Sequence, residues 1–198
     1  MLTVYIIIIL FVILFFIKRK KRDYVKLKIF QYRLMKLFYA LDQVCNALNI
    51  EYCIESGTLL GAVRHENMIP WDDDIDVQMK KEGIDKLMKN LDKIREMGYN
   101  ITFDDKIYRF KYLKNEGNEP FIDIFQVDIK ENKVHYYESR NKNRWPKYYF
   151  YMDEKYPLKL YKFGKLYVPG PNNPYPYLER SYGKDWSKPK VWNGHHSF

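Results

Sequence analysis

The segment IPWDDDIDV, residues 69–77, places Asp72, Asp73, Asp74 and Asp76 among residues that belong in a core: Ile69, Trp71, Ile75 and Val77. A strand over 74–79 would put Asp74 and Asp76 on one face, roughly 7 Å apart, with Ile75 and Val77 pointing into the protein. Two carboxylates held that close repel each other and raise each other's pKa unless a cation joins them. Magnesium, or manganese in its place, takes oxygen ligands, usually one or two carboxylates plus substrate phosphates. A third acid, Asp123, sits between Ile122 and Ile124 in the strand-like FIDIF. Asp74, Asp76 and Asp123 on adjacent strands form a set for one or two metal ions. Upstream, Ser56 and Gly57 permit a tight turn, and a helix from about Thr58 would offer free N–H groups to a phosphate. Metal-holding acids beside an anion-holding helix start suit phosphoryl or nucleotidyl transfer, in which positioning and charge neutralisation do most of the work.

The elements that must carry these residues are legible as periodicities. Residues 23–49 repeat apolar positions at three and four (Leu27, Phe30, Leu34, Leu37, Leu41, Val44, Leu48), predicting one amphipathic helix packed on a sheet. Strand-like IEYCI follows at 50–54, and after the acids a second helix places Ile84, Leu87, Met88, Leu91 and Ile94 on one face, with Gly98 as its stop. The pattern then changes to strands at YNITF, KIYRFKYL and PFIDIFQVD, followed by KVHYY and KLYVP, with NEGN (115–118) as a turn. PNNPYP reads as a loop and YLERSYG as a last short helix, which Tyr182, Gly183, Asp185 and Trp186 close against the domain. The fold class expected is α+β, a mixed sheet flanked by helices.

Composition narrows the function classes. With 198 residues, 46% hydrophobic, 19 Tyr and 12 Phe, the chain suits one globular domain. The formal net charge is +9, but Lys18, Arg19, Lys20, Lys21 and Arg22 supply five of those charges, which leaves +4 for the rest and no case for a nucleic-acid partner. Cys45 and Cys53 have no metal spacing and read as two buried thiols. Residues 1–17 carry no charged side chain and span about 26 Å as a helix, close to a bilayer core of about 30 Å. They read as an uncleaved transmembrane anchor, with residues 18–22 as a basic flank and 23–198 as the catalytic domain. The basic residues on the C-terminal side place that domain in the cytosol.

The stretch GTLLGAVRHENMIPWDDDIDV resembles the signature of the LicD and fukutin-related phosphotransferases, within the nucleotidyltransferase superfamily. FIDIF resembles the family's later acid strand, and PNNPYPYLERSYGKDW, with Pro189 and His195 beyond it, its C-terminal segment; the resemblance runs from about Phe30 to the end. It implies a nucleotidyltransferase-like sheet, Asp74, Asp76 and Asp123 as metal ligands, Asp72 as a further acid of the motif and Asp73 as a residue that orients the loop. It implies transfer of phosphocholine or a polyol phosphate such as ribitol phosphate from a CDP-linked donor (CDP-choline, CDP-ribitol) to a glycan. Ser56 stands where members commonly have Gly. Ser56, Gly57 and Thr58 are the expected phosphate-holding residues, and Arg64, at the end of that helix, either pairs with a donor phosphate or is a surface arginine. Arg109 and Lys111 could reach phosphate or pair across strands, and His65 reads as a loop histidine ahead of the alternative of a general base. A nucleotidyltransferase using a nucleoside triphosphate, and a non-catalytic glycan-binding module of the same fold, are the alternative readings.

Overall fold

The computed structural model describes residues 2–114 and 119–189, without the side chains of residues 2–11 and 14. Helix α1 runs unbroken from Leu2 to Ala47, so no change of conformation marks the expected limits at residues 17 and 22. The predicted stripe is buried through Leu34, Leu37, Leu41 and Val44, joined by Phe38 and Cys45. The helix stops where Asn49 takes a left-handed φ of +49°. Among the described residues no helix is long and apolar enough to cross a membrane. The expected anchor over 1–17 thus finds no support in the structure, and most of its side chains fall outside the described residues.

Strand β1 (Tyr52–Ile54) is followed by α2 (Ser56–His65), which starts two residues earlier than the sequence suggests. Strand β2 (Asp76–Lys80) starts two residues later than expected. Side chains alternate along a strand, so a β-strand reaching back past Asp74 would send Asp73 to the side of buried Ile75 and Val77. The chain instead stays irregular over 72–75, leaving Asp74 on a loop ahead of the strand. The second predicted helix is divided at Asn90 into α3 (Lys81–Lys89) and α4 (Leu91–Glu96). Ile84, Leu87 and Ile94 are buried as expected, whereas Met88 is exposed.

Strands β3 (Tyr99–Asp104), β4 (Ile107–Tyr112), β5 (Phe121–Lys130) and β6 (Lys133–Tyr136) match the predicted run. Helix α5 (Ser139–Arg144), strand β7 (Phe150–Tyr151), the one-turn α6 (Met152–Lys155) and the hairpin β8 (Lys159–Phe163)–β9 (Leu166–Gly170) complete the chain with α7 (Tyr175–Tyr182). The main sheet has the order β1-β2-β5-β4-β3, and β6 pairs with both β5 and β7. Only β2 and β5 pair in parallel; the other neighbours are antiparallel, which makes the sheet mixed as anticipated. Its core includes Ile54, Val77, Phe110, Ile122 and Ile124, all fully buried. Cys45 and Cys53 are free, buried thiols. The expected turn at 115–118 and the residues His195 and His196 lie outside the described residues.

Candidate active site

Strand register builds the floor of the site. Asp76 of β2 lies opposite Asp123 of β5, and Asp123 lies opposite Arg109 of β4, so the three form one row across the sheet. Directly opposed residues project on the same face. Arg109 donates from Nε to Asp123 Oδ1 at 3.0 Å and also approaches Asp104 at 3.7 Å, so its cross-strand reading is the one realised. The acids of the preceding loop gather beside this row. Asp72, Asp73 and Asp74 bring carboxylate oxygens within 4.8 Å of one another, the spacing of a cation site. The sequence grouped Asp74 with Asp76 and Asp123; among the described residues, the acids meeting at ligand spacing are 72–74, and Asp74 repels both Asp72 and Asp76.

Electrostatics show what the arrangement lacks. Burial and the neighbouring Asp74 push Asp72 up to about 8. Asp76 is raised well above the carboxylate range by burial, then by Asp74 and Asp123. Asp123 rises only to about 6, because Arg109 offsets part of its burial. The burial and mutual repulsion that raise Asp72 and Asp76 fit a divalent cation, which would offset both. Asp72, Asp73 and Asp74, with Asp76 and Asp123 behind them, are the oxygen donors available to it.

Helix α2 supplies the opposite wall, in a manner the sequence did not reveal. Ser56 adopts φ +51°, a left-handed conformation that favours glycine, the residue that the family resemblance leads one to expect there. A Cβ on Gly57 would stand 2.9 Å from Asp72 Oδ2, so the glycine lets the acid loop close over the helix start. Thr58 is buried, and its hydroxyl accepts the backbone N–H of Asp76 at 2.8 Å; that hydroxyl holds the strand in place, and Thr58 is not among the residues lining the cleft. Arg64 lines the cleft and donates to the carbonyl of Trp186 at 2.9 Å, tying the segment after α7 to α2. His65 packs edge-on against Trp71 and does not line the cleft, which removes the expectation of a general base there.

The cleft encloses about 1020 Å³. Sequence reasoning missed its far wall, where Phe125, Tyr136, Trp145 and Tyr148 meet Tyr182, with Arg144 and Lys188 at the rim. Beneath it lies a buried polar relay. Glu55 Oε2 accepts from Gln78 at 2.6 Å and from the Tyr136 hydroxyl at 3.1 Å, and Gln78 Oε1 accepts from buried Lys155 at 2.7 Å. Burial pushes Glu55 up to about 8, and its Oε1 has no hydrogen-bond partner. The available signal was Glu55 itself, a charge at the end of an apolar strand.

The same stretch that forms this floor and wall matches a family model. Residues 49–173 match LicD/FKTN/FKRP, nucleotidyltransferase domain. The chain belongs to this family. A protein of Rickettsia prowazekii with no assigned function is 37% identical over 166 residues, covering 84% of this chain and 58% of the relative. The lipopolysaccharide cholinephosphotransferase LicD of Haemophilus influenzae is 47% identical over 49 residues, 25% of this chain and 17% of that protein. Human ribitol 5-phosphate transferase FKRP is 25% identical over 154 residues, 71% of this chain and 29% of that protein. The chain spans 58% and 50% of the first two curated relatives it matches. Within the LicD domain, α2, the acid loop, β2 and β5 all fall inside the matched residues, whereas α7 and the Trp186 segment lie beyond them.

Proposed function

We propose that this LicD-family protein is a metal-dependent phosphotransferase that moves a phospho-alcohol group from a CDP-linked donor to a glycan hydroxyl. The observation that carries the reading is the convergence of Asp72, Asp74, Asp76 and Asp123 on one cleft at the start of α2, with Asp73 beside Asp72 and Asp74. Magnesium or manganese would be held by Asp72, Asp73 and Asp74 with Asp76 and Asp123, and would neutralise the donor diphosphate. Arg64, which lines the same cleft, supplies a fixed cation for a donor oxygen. The acceptor oxygen attacks the phosphorus that bears the alcohol; the bond from that phosphorus to the bridging oxygen breaks, and cytidine monophosphate leaves. The hydroxyl proton passes to solvent or to a cleft carboxylate that is ionised once the cation is bound. Names of relatives motivate phosphocholine and ribitol phosphate as transferred groups. The apolar residues 1–17 and the basic residues 18–22 support a single-span anchor with the domain in the cytosol.

Incubation with CDP-choline, CDP-ribitol and free CTP, each with a glycan panel and magnesium, tests the reading by mass spectrometry. A glycan carrying a phosphodiester-linked alcohol, with cytidine monophosphate released, is expected. Transfer of the nucleotide itself from CTP would replace the proposal with a nucleotidyltransferase, and no product from any donor would remove the enzyme assignment.

A further inference from the structure

A second cavity, of about 840 Å³, lies on the other side of the acid loop, between α1 and the tip of the β8–β9 hairpin. The loop separates the two spaces by one thickness of chain. Along it Arg64, Ile69 and Trp71 face the cleft, while His65, Asn67, Met68 and Pro70 face the groove. The hairpin tip is fastened there, since Gly164 N–H donates to the carbonyl of Glu66 at 2.7 Å. Glycine is needed at that tip: φ is +64°, and a Cβ would meet Asn67 Oδ1 at 3.2 Å.

The lining has one sign of charge. Lys28, Lys36 and Lys165 line the groove and no acid does so among the described residues. None of the three lysines has an ion-pair partner among the described residues. Tyr32 and Tyr39 project from α1 with 62% and 52% of their surface exposed. Lys36 Nζ lies 4.7 Å over the Tyr32 ring and Lys28 donates to Gln31 Oε1 at 2.8 Å; exposed rings beside ammonium groups that lack an acid partner suit a partner with apolar faces, hydroxyls and negative charge. The main cleft, by contrast, has an acid floor that repels an anionic chain unless a cation is bound.

The geometry points to the groove as the docking site for an acidic stretch of the acceptor glycan, which lies against α1 and reaches over the loop to present a hydroxyl in the cleft. This rests on the phosphotransferase reading for the term acceptor, but the groove's own binding is separable from it. Calorimetry on the full chain in a nonionic polyoxyethylene detergent would use pentamannosyl 6-phosphate against neutral mannopentaose as probes. The phosphorylated sugar is expected to bind at least ~10-fold tighter, and Lys36→Glu with Lys165→Glu to remove that preference. Donor hydrolysis to cytidine monophosphate without acceptor, measured in parallel, is expected to be unchanged in the double variant. Circular dichroism melting of that variant checks the fold, and the milder Lys36→Gln, Lys165→Gln pair, expected to bind several-fold more weakly, replaces it if the charge reversal unfolds the protein. Phosphoglycan binding that survives both pairs overturns the inference. So does lysine-dependent binding of phosphatidylglycerol vesicles without glycan binding. Lysine-dependent glycan binding in a protein that hydrolyses no CDP-linked donor would leave the groove assignment standing and reject the proposed reaction instead.

Discussion

Asp76 is the acid with the most unfavourable surroundings: half-buried, opposite Asp123, and near Asp74 and Asp72. Its removal separates function from stability. Asp76→Asn is expected to lower turnover by at least ~10²-fold, the order found when one electrostatic stabiliser is lost. Without metal the variant should melt no lower than the parent protein, because a repelling carboxylate has gone. A parent-like rise in melting temperature on adding magnesium, with parent-like turnover, would show that Asp76 holds no metal. Glu55 carries a different signature. Its folded-state pKa of about 8 lies above the ordinary 4.5, so the folded protein binds more protons than the unfolded chain between those values. Stability from this group is therefore full below pH 4.5 and is lost as pH rises through 8. Asp72 and Asp76 shift the same way, so the comparison belongs in saturating magnesium. There Glu55→Gln is expected to flatten the fall in melting temperature between pH 5 and 8.5; identical slopes would mean that Glu55 is ionised throughout.

Helix α1 matters to the site as an element because it holds the acid loop from behind. Gln31, buried on the helix, donates from Nε2 to the carbonyls of Asp72 at 2.6 Å and Ile69 at 3.2 Å. Hydrogen bonds of this kind are each worth about 1 kcal/mol net, and more when a buried carbonyl is left without a partner. Gln31→Ala is expected to cost about 1–2 kcal/mol in urea unfolding. It should also weaken magnesium binding, although Gln31 carries no charge and its hydrogen bonds to the loop go to backbone carbonyls. Unchanged metal affinity at reduced stability would show that the loop holds its shape without the helix. Strands were read well at this scale because their period is short and their apolar alternation strong, as in β4 and β5. The hairpin β8–β9 was half missed: Lys159, Lys162 and the exposed Leu160 break the alternation of β8.

For the whole molecule, the proposed anchor and its orientation have a direct test. The charge asymmetry around residues 18–22 predicts that protease added to sealed vesicles with their cytosolic face outward digests the domain without detergent. Digestion only after detergent would place it on the opposite side and leave the enzyme reading intact. The sequence by itself determined the family, the run of strands, the cluster of acids and the glycine turn, since each is written in contiguous residues. Only the tertiary structure decided which acids meet, because strand register sets Asp76 against Asp123 and gives Asp123 to Arg109, while a loop and not a strand brings Asp74 to Asp72 and Asp73. Tertiary packing likewise made Thr58 a brace for Asp76, put His65 behind the cleft and assembled Trp145, Tyr148 and Tyr182 into its far wall. Those outcomes depend on contacts between residues far apart in the chain, and local periodicity holds no record of them.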